Sequence, residues 1–73
     1  MKLPTDVSGR EMIAILVRHG FEIRRQRGSH VILKRSDPAA RVTVPDHKQI
    51  RIGTLKQILA AAGLTVEDLL RSR

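Results

Sequence analysis

The chain is 73 residues long, and its 14 Lys and Arg residues against 7 Asp and Glu give it a formal net charge of +7. This length predicts a single domain over residues 1–73, with no room for a separate cofactor domain. The absence of cysteine excludes disulfide bonds and thiolate zinc sites and is typical of a reducing compartment. No apolar run approaches the roughly 20 residues that span a bilayer, and the first residues lack the apolar core of a signal peptide. We therefore expect a cytoplasmic protein without membrane contact.

The first predicted element is an amphipathic helix over about residues 8–19. Ser8-Gly9-Arg10-Glu11 has the form of a capping box, in which the Ser8 hydroxyl accepts from the Glu11 amide and the Glu11 carboxylate reaches back. Gly20 can adopt the positive φ that ends a helix. The apolar residues behind the cap recur at helical spacing and form one stripe: Met12, Ile13, Leu16 and Val17.

Three short segments with period-two character follow, over residues 21–26, 30–35 and 41–44. Turn residues separate them at 27–29 and 36–40, so the pattern predicts an antiparallel meander. Side chains alternate along a strand, and the apolar set should face the helices: Phe21, Ile23, Val31, Leu33, Val42 and Val44. The opposite, open face would then hold a mostly polar set: Glu22, Arg24, Gln26, His30, Ile32, Lys34, Arg41 and Thr43.

Two further helices are expected after a loop that ends at Gly53. The segment 54–57 repeats the capping-box pattern from Thr54, and Gly63 ends the helix. Its apolar stripe consists of Leu55, Ile58, Leu59 and Ala62. Thr65 is the predicted N-cap of a short third helix. The fold class is therefore α+β in the order α-β-β-β-α, with two helices on one face of a three-stranded sheet and a short C-terminal helix.

Basic charge is concentrated in the middle of the chain. Residues 21–35 carry five Lys or Arg residues against one acidic residue, so more than half of the net charge lies there. A small basic domain of this kind is typical of a protein that binds a polyanion, most often nucleic acid, and an acidic protein partner is the alternative. On the open face, Arg24, Lys34 and Arg41 are the predicted phosphate-binding cations.

His30 opens the second strand on the basic face and is the candidate catalytic residue, or else a partly exposed strand histidine hydrogen-bonded to a neighbour. Cleavage of RNA without a metal needs a group that takes a proton from a 2′-hydroxyl and one that protonates the leaving oxygen, and a histidine does either near neutral pH. Gly28 and Ser29 either form only a tight turn or also let a phosphate approach the backbone. His47 is a possible second acid/base group or an exposed loop histidine. The histidine spacing does not indicate a metal site.

Several short segments, taken in order, resemble the HicA-type toxin family, the mRNA-cleaving half of a bacterial toxin–antitoxin pair. They are Gly20-Phe21, Gly28-Ser29-His30, Val42-Thr43-Val44-Pro45 with Asp46-His47, Gly53-Thr54-Leu55, and Ala62-Gly63-Leu64. The resemblance implies a fold like the double-stranded RNA-binding domain (dsRBD). It also implies a metal-independent endoribonuclease without a cofactor, with His30 as the catalytic residue of the Gly-Ser-His motif. The implied partners are mRNA and a HicB-type antitoxin.

Two other functions remain open from the residues alone. One is a non-catalytic RNA-binding module, which would bind RNA in a salt-sensitive manner and leave it uncut. The other is an antitoxin-like protein-interaction domain, whose basic face would bind an acidic protein without affinity for RNA.

Overall fold

A computed structural model describes residues 2–73 and confirms the predicted α+β fold class. Its elements are α1 (Gly9–Arg18), β1 (Glu22–Arg27), β2 (His30–Ser36), β3 (Ala39–Pro45), α2 (Ile52–Ala62) and α3 (Val66–Ser72). The strands form an antiparallel sheet in the order β1-β2-β3. The helices cover one face of this sheet, as in a dsRBD-like fold.

The core lies between the sheet and the helices, and most of the predicted apolar sets are buried in it. From the sheet it takes Phe21, Val31, Leu33, Val42 and Val44, and from the helices Met12, Ile15, Leu16, Leu55, Ile58, Leu59, Ala62 and Leu69. Burial of these side chains is the main stabilising contribution to a domain of this size. The strand faces predicted for β2 and β3 are therefore confirmed.

Local capping explains where α1 and α3 begin. The Ser8 hydroxyl accepts from the Glu11 amide at 3.0 Å, as predicted. The Glu11 carboxylate instead accepts from the Arg73 guanidinium at 2.7 and 3.2 Å, so only the first half of that capping box is present. At α3 both halves form, because Thr65 and Asp68 exchange hydrogen bonds of 2.9 and 3.0 Å. The predicted N-cap at Thr65 is confirmed.

The start of α2 differs from the prediction. The helix begins at Ile52, with Arg51 as its N-cap, and no side chain caps it. The Leu55 amide already donates to the Arg51 carbonyl at 2.8 Å, so Thr54 lies inside the first turn. The predicted capping box at Thr54 was therefore wrong, whereas Gly63 ends the helix with a positive φ of 73°, as expected.

Strand β1 departs most from simple alternation. Ile23, which pairs with Leu33 and was expected in the core, is 56% exposed because the helices pack mainly against β3 and leave β1 uncovered. On α1, Val17 is likewise exposed rather than part of the buried stripe. Conversely, Ile32 is only 8% exposed on the open face, where its neighbours on both flanking strands cover it.

A β-bulge in β1 changes which of its side chains reach the open face. The pairing passes from Ile23 opposite Leu33 to Arg25 opposite Ile32, so the extra residue is Arg24. Beyond the bulge, Gln26 pairs with Val31 and therefore shares the helix-covered face. The prediction of Gln26 on the open face was wrong.

Candidate active site

The open face of the sheet consists of three cross-strand rows. Directly paired residues of antiparallel strands share a face, and the rows are Arg27–His30–Pro45, Arg25–Ile32–Thr43 and Glu22–Lys34–Arg41. His30 therefore lies at one end of a basic face, with Arg27 as its neighbour on β1. Lys34 and Arg41 lie together at the other end.

His30 and His47 line one cleft, although 17 positions separate them in the sequence. The cleft has a volume of about 400 Å³ and lies between the end of β3, the following loop and the start of α2. Its walls are His30, Thr43, Pro45, His47, Gln49, Arg51 and Thr54. Both histidines are exposed residues, and His47 also lines a neighbouring cleft with Arg10 and Lys48.

Backbone hydrogen bonds position the loop that carries His47. The Asp46 amide donates to the Ser29 carbonyl at 2.6 Å, which joins this loop to the turn in front of His30. The His47 carbonyl accepts from the Gly9 amide at 2.8 Å, at the start of α1. The buried Ile50 donates its amide to the Val7 carbonyl at 2.8 Å. The loop is thus fixed at three points relative to α1 and the sheet.

Gly28 and Ser29 form the two-residue turn between β1 and β2. Gly28 has a positive φ of 55° and Ser29 does not, which matches the type II′ hairpin turn with glycine at its first central position. Neither residue lines the cleft. Their observed contributions are the turn itself and the Ser29 carbonyl that holds Asp46.

Of the three predicted cations, Lys34 and Arg41 share the open face with His30, whereas the prediction of Arg24 there was wrong because Arg25 takes that place in the pairing. None of the three lines the histidine cleft. Lys34 is four residues from His30 along β2, which corresponds to about 13 Å at the rise of a strand. Lys34 and Arg41 are paired directly across the strands, an arrangement in which two like charges repel each other. Arg24 lies at the bulge. Within residues 2–73, the ion pairs involve other residues, although Glu22 is paired directly with Lys34 across the strands.

Sequence reasoning missed several residues of this site. Arg25 and Arg27 belong to the open face because of the bulge, for which the local sequence gave no signal. Arg51 and Gln49 line the histidine cleft because α2 starts earlier than its capping pattern predicted. Arg35, which the charge count includes, instead lies over the Phe21 ring at 4.6 Å from its centroid and so contributes to packing.

No three His, Asp or Glu side chains within residues 2–73 come together as a set of metal ligands. None of the helices described there is both long enough and apolar enough to cross a membrane.

The fold and the histidine on its basic sheet face define a small α+β protein of dsRBD-like architecture. The family model described as the HicA toxin of bacterial toxin–antitoxin pairs matches residues 9–64, from the first residue of α1 to just past the end of α2. The chain therefore belongs to the HicA toxin family, whose members are toxins of toxin–antitoxin pairs. No curated protein shows significant sequence similarity to the chain.

Proposed function

We propose that the protein is a metal-independent endoribonuclease that cleaves mRNA, with His30 and His47 as its acid/base pair. The observation that carries the proposal is the single cleft lined by both His30 and His47 at the edge of the basic face. Family membership supports the toxin role.

The reaction uses the nucleophile that RNA itself contains. The 2′-hydroxyl attacks the adjacent phosphorus while a neutral imidazole takes its proton, and a protonated imidazole gives a proton to the departing 5′-oxygen. The products are a 2′,3′-cyclic phosphate and a 5′-hydroxyl end, and the two histidines exchange protonation states. Because one imidazole must be neutral and the other charged, kcat/KM should depend on pH in a bell-shaped manner.

The sheet cations suit the phosphates that flank the scissile bond. Lys34 and Arg41 are adjacent cations with Glu22 opposite Lys34, so a bound phosphate would add a second negative charge beside them. Arg25 and Arg27 of β1 extend the same basic face as far as the row of His30. Binding through such contacts releases counterions, so affinity for RNA should fall steeply as salt rises.

The same face offers a site for a protein partner. A HicB-type antitoxin with an acidic surface would bind these cations and prevent RNA from reaching His30. In this proposal the protein acts in the cytoplasm, where its mRNA substrate is found.

A cleavage assay with fluorescent RNA in the presence of EDTA tests the proposal. Wild-type protein should cut, whereas His30→Ala and His47→Ala should each lower kcat by about 10²–10⁴-fold, the usual contribution of a positioned acid or base. The matched control is His19→Gln, because His19 lies outside the cleft and contacts the Ser72 hydroxyl at 3.0 Å. This control should cut like the wild type.

Three outcomes separate the candidate functions. Cleavage that requires both cleft histidines supports the nuclease. Wild-type protein that binds RNA without cutting it refutes the nuclease and favours the RNA-binding module. Binding of an acidic antitoxin without affinity for RNA favours the protein-interaction domain.

A further inference from the structure

Arg51 is the one Lys or Arg residue, among residues 2–73, that lines the cleft shared by His30 and His47. It occupies the N-cap of α2, where its side chain makes no hydrogen bond to the helix. The ion pairs formed within residues 2–73 involve other arginines. Its guanidinium therefore retains all its donors for a ligand in the cleft.

The other basic residues of the site lie further from the two imidazoles. Arg41 lines a neighbouring cleft of about 210 Å³, which shares Thr43 and Thr54 with the histidine cleft. Lys34 pairs with Arg41 at the far row of the sheet. Arg51 therefore lines the histidine cleft, and also a second cleft of about 390 Å³ beside Gln49, whereas Lys34 and Arg41 lie outside the histidine cleft.

We infer that Arg51 is a catalytic residue that binds the scissile phosphate and stabilises the charge that builds on it during cleavage. The inference rests on the proposed nuclease function and adds a residue to it. In this inference Arg51 contacts the scissile phosphate, whereas Lys34 and Arg41 bind the flanking phosphates. The two groups should therefore affect different kinetic constants.

The chemistry of the phosphate explains why the cleft needs such a group. Attack by the 2′-oxygen makes phosphorus five-coordinate and shifts charge onto its two non-bridging oxygens. A guanidinium presents parallel N–H donors that match two such oxygens, and it does not lose its proton at physiological pH. Donors that meet this charge in the transition state raise kcat, whereas contacts equal in both states change only KM.

The neutral residues of the cleft do not supply the same stabilisation. Gln49 already donates its side-chain amide to the Thr5 carbonyl. The hydroxyls of Thr43 and Thr54 carry no charge, and hydrogen bonds from charged donors are about twice as strong as neutral ones. Arg51 is therefore the residue whose loss should be felt in the chemical step.

Steady-state cleavage of a fluorescent RNA by Arg51→Met and Arg51→Lys tests the inference. Lys56→Met is the matched control, because it removes the same charge from the same helix outside the cleft. We expect Arg51→Met to lower kcat by about 100-fold, the effect of losing one transition-state donor. Arg51→Lys should recover part of the loss, since lysine restores the charge without the paired donors. Lys56→Met should keep the wild-type kcat.

Two further measurements make the result specific. With a 2′-deoxy substitution at the cleavage site of the same RNA, the affinity of Arg51→Met should fall far less than its kcat does, by no more than one phosphate contact, and Lys56→Met should bind like the wild type. Thermal unfolding midpoints should also agree, because α2 uses only the backbone carbonyl of Arg51, which accepts from Leu55.

The outcomes distinguish this inference from the function on which it rests. If the wild type cuts and Arg51→Met has the same kcat as Lys56→Met, the catalytic role of Arg51 is refuted and the nuclease stands. If Arg51→Met only weakens binding, Arg51 is one more general phosphate contact and the inference fails as well. If the wild type binds RNA and does not cut it, the proposed nuclease fails, and the role of Arg51 fails with it.

Discussion

Gly9→Ala is a one-carbon change that should disturb both the fold and the site. Gly9 is the buried first residue of α1, and a Cβ placed there would overlap the Pro45 carbonyl oxygen and lie 2.8 Å from the Asp46 Cα. Both contacts are with backbone atoms, so no side-chain rotation relieves them. Either α1 or the segment that leads into His47 must move, and the hydrogen bond from the Gly9 amide to the His47 carbonyl is strained or lost.

The expected destabilisation follows from three contributions. Alanine in place of glycine favours a helix by up to about 1 kcal/mol. Overpacking costs about 1–3 kcal/mol, and the lost hydrogen bond costs about 1 kcal/mol. The net loss is about 1–3 kcal/mol, against a total stability of about 4–11 kcal/mol for a chain of this length. The unfolding midpoint should fall by about 5–20 °C.

Thermal and urea unfolding of Gly9→Ala and Gly53→Ala measure this difference directly. Gly53 is the matched control, because it lies in the first turn of α2 and a Cβ there has no heavy atom within 4 Å. Gly53→Ala should leave the stability unchanged or raise it by up to about 1 kcal/mol. A Gly9→Ala protein as stable as the wild type would refute the close approach of α1 to the Pro45–Asp46 backbone.

Two further predictions concern α3 and its cap. Leu69→Ala should lower the free energy of unfolding in urea by about 2–5 kcal/mol, because Leu69 is fully buried. The neighbouring Leu70 is 37% exposed, so Leu70→Ala should lower it far less. Equal losses would contradict the packing of α3 on the core. The hydrogen bond from the Thr65 amide is the main cause that lowers the pKa of Asp68, and Arg73 lowers the pKa of Asp6. Both pKa values lie below the usual 3.8 in the folded protein, so the ionised carboxylates of Asp68 and Asp6 stabilise the fold. Their contribution to the free energy of unfolding is complete above pH 3.8 and is lost as the pH falls through the folded pKa values. Asp68→Asn should therefore show a smaller fall in unfolding midpoint on acidification than the wild type, and an equal fall would contradict it.

Local patterns predicted the element order and most of the core. Capping residues such as Ser8 and Thr65 form hydrogen bonds within three residues, so the sequence contains all the information they need. The alternation in β2 and β3 was equally informative, because both strands lie under helices and a shift of one residue would expose their apolar side chains. The sequence gives no corresponding signal for the bulge at Arg24, because the side chains of β1 are exposed in either register.

The sequence predicted single residues of the candidate site but not which of them share a cleft. His30, Lys34 and Arg41 follow from strand alternation, and the register places them on the face expected. That His47 shares a cleft with His30 depends on the Asp46–Ser29 hydrogen bond between segments far apart in the chain. No local pattern specifies such a contact, and none indicated that Arg51 would join them.

The loop that carries His47 should tolerate substitution of its exposed residues during evolution. Its fixed points are backbone amides and carbonyls together with the buried Ile50, while His47 and Lys48 are exposed. Backbone groups are the same for almost every amino acid, so the loop should keep its shape when its exposed side chains are replaced. Position 48 is thus a place where mutation can alter the surroundings of the cleft at little risk to folding. Thermal unfolding of a saturation library at this position would measure how freely that side chain can be replaced.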